Sequence, residues 1–192
     1  MARIIDVHAR RVWDSRGRPT VEAEVVLKGG RGRAIAPAGA STGTGEAKAL
    51  PADAAVRNVN GPIRAALLGV DARFQDAVDE KLIALDGTPD KSRFGANAVV
   101  AVSLACLQAC AAAAKRPLWR HLAGERRVAM PVPQVQIYGG GAHARGRVDI
   151  QDYLVVCPGA GSFGESLEWI AEVYRAAGAR LAKKGALHGV AD

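Results

Sequence analysis

Three polar residues stand where a site could form: Ser41 in the loop from Pro37 to Gly45, His143 in a glycine-rich stretch, and Asp152 directly after Gln151 at the start of an extended segment. A serine hydroxyl with a nearby carbonyl offers hard oxygen ligands of the kind Mg2+ accepts. A carboxylate at a strand end can act as an acid or simply face water, and a lone histidine in a glycine-rich loop is as a rule a solvated side chain. Each therefore also has an ordinary structural reading. The cysteines, Cys106, Cys110 and Cys157, are odd in number and lack the CxxC spacing of metal sites. Cys106 and Cys110 lie four apart on one face of a predicted alanine-rich helix, which makes them small core residues and fits a reducing, cytoplasmic setting.

The elements that must position these groups are legible as periodicity. Ile4 to Val12, Thr20 to Leu27 and Gly32 to Ala36 read as extended segments, and Val21, Ala23, Val25 and Leu27 alternate with Glu22, Glu24 and Val26 as in a half-buried strand. Asp14-Ser15-Arg16-Gly17 and Lys28-Gly29-Gly30 supply the turns, so a three-stranded antiparallel meander is expected. Pro37 to Gly45 is too rich in Gly and hydroxyls for a regular element. Helices are predicted from about Pro51 to Val59, from Pro62 to Leu68, from an N-cap at Asp71 to Leu85, and over the alanine-rich run to Ala114. Further on, Val132 to Ile137 and Ile150 to Val156 read as two strands joined by a Gly-rich loop. Ser162, with Glu165 three residues later, opens a helix to about Lys184.

Composition narrows the class. The chain has 192 residues, 49% hydrophobic and 23% charged, room for one domain and part of another. The net charge is +7 and the pI about 9.7. Its Lys and Arg are scattered among Asp and Glu, which argues against nucleic acid as the main partner. The opening segment carries Arg3, Asp6, His8, Arg10 and Arg11, unlike a signal peptide. The run from Ala96 to Ala114 is interrupted by Asn97, Ser103 and Gln108 and reads as a buried helix, with no membrane role.

At five places in order the residues resemble the enolase (phosphopyruvate hydratase) family. Asp14-Ser15-Arg16-Gly17 with Pro19-Thr20-Val21-Glu22 is similar to its DSRGNPTVE opening, Gly39 to Gly43 to its GASTG mobile loop, and Phe94 to Ala98 with Val102 to Ala105 to FGANAxxAVSLA. Met130-Pro131-Val132-Pro133 resembles its first barrel strand. His143-Ala144 with Val148-Asp149-Ile150-Gln151 resembles HAxxxVDIQE.

The resemblance implies an α+β N-terminal domain, a three-stranded antiparallel meander followed by helices, joined to the start of an enolase-type α/β (TIM-like) barrel whose first two strands are antiparallel. The expected division is 1–124 for the N-terminal domain, 125–130 for a linker and 131–192 for an incomplete start of the barrel. It further implies dehydration of 2-phosphoglycerate to phosphoenolpyruvate, in which Mg2+ stabilises an ene-diolate and a Lys is the base. Ser41 falls where the family closes a loop over the substrate and ligates a metal. Ala40, His143 and Gln151 fall at substrate-contacting positions, and Asp152 at one of two paired acids. Ser41, His143 and Asp152 are expected to converge on one pocket. The implied partners are a small phosphorylated acid and a second copy bound through the N-terminal domain.

Departures qualify that reading. Asp152 replaces the family's Glu, withdrawing the carboxyl by ~1 Å, a displacement that can cost ~100-fold in rate. Tyr138 replaces an Asn, Gly139 to Ala142 is one residue longer than the family's loop, Ala38 replaces a Ser, and a segment is missing between Leu50 and Ala55. Pro131 to Asp192 falls far short of the ~250 residues of a closed barrel. The resemblance puts the remaining metal carboxylates, the base Lys and the second acid after Asp192, so this chain alone is expected to be inactive. A relative acting on another phospho- or phosphono-hydroxyacid, and a non-catalytic binding or dimerisation remnant, are the alternatives.

Overall fold

A computed structural model describes residues 2–39, 43–141, 144 and 146–187. The chain divides into two compact units, Met1–Arg126 and Arg127–Asp192.

The first unit opens with β1 (Ile4–Trp13), β2 (Pro19–Leu27) and β3 (Gly30–Ile35), an antiparallel sheet in the order β1-β2-β3. This is the expected meander, and the DSRG turn shows why it forms. Asp14 Oδ1 accepts from the backbone N–H groups of Arg16 and Arg18, each at 2.9 Å, while Gly17 takes φ +69°. Those bonds, first that from Arg18, hold the Asp14 carboxyl below its ordinary pKa.

Helices follow: α1 (Ala52–Asn58), α2 (Arg64–Leu67), α3 (Gln75–Asp86), α4 (Ala96–Ala113) and α5 (Leu118–Ala123). Between α1 and α2 the chain does not break at Gly61-Pro62 as the sequence suggests. It continues through a π-helical segment, Val59–Ile63, whose wider ring of hydrogen bonds accommodates Pro62 inside the rod. Asn60 of that segment accepts from Ala9 N–H at 2.7 Å and donates to Ala9 C=O at 3.0 Å, so a side-chain amide occupies part of the open edge of β1.

One expectation is corrected, and one helix is new. Asp71 does not cap α3, which begins at Gln75 after Phe74 with no side-chain cap. Asp71 instead binds Arg73 at 2.6 Å, which pulls its pKa down to about 2, and its backbone forms an isolated antiparallel β-bridge with that of Arg3. The short helix α5 was not foreseen, because a six-residue segment carries too little periodicity to stand out.

The core lies between the sheet and α4. Val21, Ala23 and Val25 of β2 meet Ala98, Ala101, Val102, Ala105, Cys106 and Ala109, and Val7 and Ala9 of β1 join the same cluster beside Val59 and Ile63, all buried. β3 crosses α4 at backbone contact: a Cβ at Gly30 would sit 2.5 Å from Ala113 N, and one at Gly32 would collide with the Ala105 and Ala109 backbone. The small residues of α4 are therefore a packing requirement. Although α4 is long and apolar enough to cross a membrane, its buried stripe faces the sheet, as in a core helix. Burial pushes the Cys106 thiol up to about 12, and Cys110 donates to Ala72 C=O, so both are structural.

The second unit contains β4 (Gln134–Gly139), β5 (Asp152–Val156) and α6 (Phe163–Lys183). The strands pair antiparallel, and their register shifts between Gln136 and Tyr138. As its spacing predicts, Ser162 caps α6, its Oγ accepting from Glu165 N–H at 3.1 Å. Glu165 reaches back to Gly161 N–H at 2.6 Å, one residue before the position a capping box uses.

Candidate functional site

Of the five residues singled out, Gln151 and Asp152 lie among the described residues; Ala40, Ser41 and His143 lie outside them. Whether Ser41, His143 and Asp152 share a pocket therefore falls outside the described residues too.

The two described residues sit where β5 begins. Asp152 pairs with Gly139, the last residue of β4, so both flank the mouth of the Gly-rich loop. The ladder runs one step further through Gly140 N–H to Gln151 C=O at 2.6 Å, and Gly141 N–H reaches Val148 C=O at 2.7 Å. Gly140 is obligatory for this closure, since a Cβ there would overlap Ile150 C=O. Gly141 at φ +56° and Gly146 at φ +74° turn the chain. The Gly139 to Ala142 stretch, one residue longer than the family pattern, thus enters a loop whose two stems touch backbone to backbone.

Asp152 is exposed, and its Oδ1 accepts a 2.6 Å hydrogen bond from Gln136 Nε2. Gln136 is the residue that sequence reasoning missed. It stands opposite Leu154 in the ladder, and the register shift beside it, which no residue pattern announces, brings its amide to the carboxylate. An aspartate so held is anchored along its own hairpin. Beside it Tyr138, where the family has Asn, packs edge-on against Tyr153 with ring centroids 6.3 Å apart.

The loop that carries Ser41 is fixed at both stems. Upstream, Thr20 Oγ1 donates to Ala36 C=O at 2.7 Å, and Arg16 reaches Ala38 C=O at 3.4 Å. Downstream, Gly43 N–H donates to Glu46 Oε1 at 2.8 Å and Lys48 N–H to Asp90 C=O at 2.7 Å. Asn97 of the FGANA stretch grips Leu50 through both halves of its amide, at 3.1 and 2.9 Å. Asp90, hydrogen-bonded by Ser92 and then Lys48, is held well below the usual carboxylate range. The segment missing between Leu50 and Ala55 leaves this anchor feeding directly into α1.

Among the described residues no group of three His, Cys, Asp or Glu could hold a metal ion. Asp152 alone, already bonded to Gln136, is too sparse a donor set to hold Mg2+.

An antiparallel meander with helices, followed by a β-hairpin and a long helix, defines a two-part protein in which an α+β domain precedes the start of a barrel. Comparison with known proteins agrees: residues 4–122 match the family model of the enolase N-terminal domain, and residues 127–191 that of the enolase C-terminal TIM barrel domain. The chain is 49% identical over 182 residues to the enolase of Methanocaldococcus jannaschii, covering 89% of this chain and 43% of that protein. It is 46% identical over 204 residues to the enolase of Tropheryma whipplei, covering all of this chain and 48% of the relative. The chain belongs to the enolase family. It spans about half the length of the curated relatives it matches.

Proposed function

We propose that this chain is part of a cytoplasmic, Mg2+-dependent hydro-lyase that dehydrates 2-phosphoglycerate to phosphoenolpyruvate, a step of glycolysis. The observation that carries the reading is the match to both enolase family models in sequence order, with Gln151 and Asp152 at the loop end of the first barrel hairpin. In this reading Ser41 and Ala40 close over the substrate and Ser41 ligates a metal. His143 and Gln151 contact the phosphorylated acid, and Asp152 takes the part of an acid toward the leaving hydroxyl. Two copies pair through the N-terminal domain.

The test is a coupled assay of 2-phosphoglycerate dehydration on the 192-residue chain and on the longest product of its gene. Turnover is expected from the longer product and not from the 192-residue chain, and Asp152→Asn should lower kcat ~100-fold or more with little change in KM. Undiminished turnover by Asp152→Asn would remove Asp152 from the mechanism.

One contact supports a second reading, a divergent relative for another phospho- or phosphono-hydroxyacid. The shortened acid at 152 is tied to Gln136. If Asp152→Glu raises turnover of 2-phosphoglycerate, the first reading stands; if it lowers turnover of a different hydroxyacid that the wild type prefers, the second does.

A further inference from the structure

The sheet of the first unit ends in an open edge, and the chemistry along that edge specifies what could pair with it. Ala36 N–H bonds to Val21 C=O at 3.3 Å, which sets the parity of the β2–β3 ladder. Gly30, Gly32 and Ala34 turn their N–H and C=O groups toward β2, so those of Arg31, Arg33 and Ile35 point away from the sheet. Among the described residues, none of these outward groups has a backbone partner. They border a groove of about 910 Å³ whose other wall is the flank of α4 and the start of α5, with Leu104, Gln108, Arg116 and Leu118.

Charge along the sheet alternates strand by strand. Arg10 on β1 meets Glu22 on β2 at 2.5 Å, and Glu24 on β2 is shared by Arg31 and Arg33 on β3 at 3.9 and 3.7 Å. Two guanidiniums on β3 thus divide one carboxylate at long range. Arg116 across the groove has no carboxylate within ion-pair distance among the described residues. A fourth strand continuing the basic–acidic–basic order would be acidic on the face shared with Arg31 and Arg33. Its other face would lie over Leu104 and Leu118.

We propose that the β3 edge and its groove bind an extended peptide segment of a partner protein, alternating acidic and apolar residues, which adds to the sheet as a fourth strand. Backbone hydrogen bonds to Arg31, Arg33 and Ile35 give it affinity, and the arginines select the acidic face. A second copy of this chain is a poorer occupant, because its own acidic strand, β2, is already the centre of the sheet. The inference is independent of the lyase reading.

The experiment is fluorescence anisotropy of a labelled Glu-Val-Glu-Val-Glu-Val peptide with the 192-residue chain, with a Lys-Val peptide as the charge control. Saturable binding of the acidic peptide alone is expected. Arg33→Glu should weaken it by about tenfold. Ile35→Pro removes one outward N–H without altering charge or the β2 ladder, and should weaken it by about fivefold. Far-UV circular dichroism checks that both variants fold. On the wild type, peptide addition should slow amide exchange at Arg31, Arg33 and Ile35. No binding, equal binding of the Lys-Val peptide, or unchanged exchange at those amides overturns the proposal. So does a folded Ile35→Pro that binds as wild type, which would mean charge alone. A single-stranded oligonucleotide that displaces the peptide and binds Ile35→Pro equally well would replace it with a polyanion surface. Loss of self-association in Ile35→Pro with peptide binding intact would replace it with a contact between copies.

Discussion

The two units differ in how far they satisfy their own hydrophobic demand. In the first, the buried stripe of α4 and the inner face of the sheet cover each other, and Ile4, Ile63, Leu67, Leu82 and Val102 are fully buried. In the second, Ile170 is the one buried large apolar residue among those described, while Leu154 is 50% exposed and Ile150 58%. α6 is amphipathic and shows Phe163, Leu167, Trp169 and Val173 to solvent. The same chemistry thus yields a closed core in one unit and an open apolar face in the other. A strand pair and one helix cannot enclose a core, since a hairpin needs further strands or helices on its hydrophobic face.

The largest test of that contrast is Gly32→Val. The valine side chain has no room against the backbone of α4, so the first unit should lose more than ~4 kcal/mol and fail to melt cooperatively, as read by thermal circular dichroism. A cooperative melt near the wild-type Tm would show that β3 can lift from α4. Next come matched truncations. Leu82→Ala should cost ~2–4 kcal/mol in urea unfolding, and Leu154→Ala less than ~0.5 kcal/mol. Equal costs would mean that Leu154 is covered in solution and would end the comparison.

Asp86 tests the polar side of the first core. It is buried at the end of α3, and its carboxylate accepts from Thr88 N–H at 3.0 Å, from the Thr88 hydroxyl and from Phe94 N–H at 2.8 Å. Burial opposes its charge, yet these bonds outweigh burial and lower its pKa. With the folded pKa depressed, the stabilisation is present above the unfolded carboxylate value of ~3.9 and is lost as pH falls through the folded value. Asp86→Asn should therefore cost ~1–3 kcal/mol at neutral pH, and its difference from wild type should shrink below about pH 4. The smallest effect is expected from Ser162→Ala, ~1 kcal/mol of α6 stability, read as faster amide exchange in its first turn.

Much of this architecture is legible in the sequence. The alternation of Val21 to Leu27 fixed a strand and its buried face, because side chains in an extended chain must alternate. Ser162 and Glu165 marked a helix start through hydrogen-bond geometry within four residues. The motifs from Asp14 to Gln151 identified the family, and Asp14 and Asn97 proved to be backbone anchors within those motifs. Pro62 misled, since a proline lacks the N–H for either kind of helical bond, yet the wider π-helical turn leaves room for its ring and the rod continues through it. Asp71 misled because an arginine two residues away competed for the capping carboxylate.

What tertiary structure alone decided concerns pairs of groups distant in sequence. That Gly30 and Gly32 exist to let β3 touch α4, and that Asn60 fills an edge of β1, depend on which elements meet, and no local pattern encodes that. The same holds for the Gln136–Asp152 bond, which follows from a register shift between two strands. Sequence determines elements because propensity and periodicity act over a few residues. The placement of an acid or an open edge depends on long-range packing, where a displacement of one residue changes every partner.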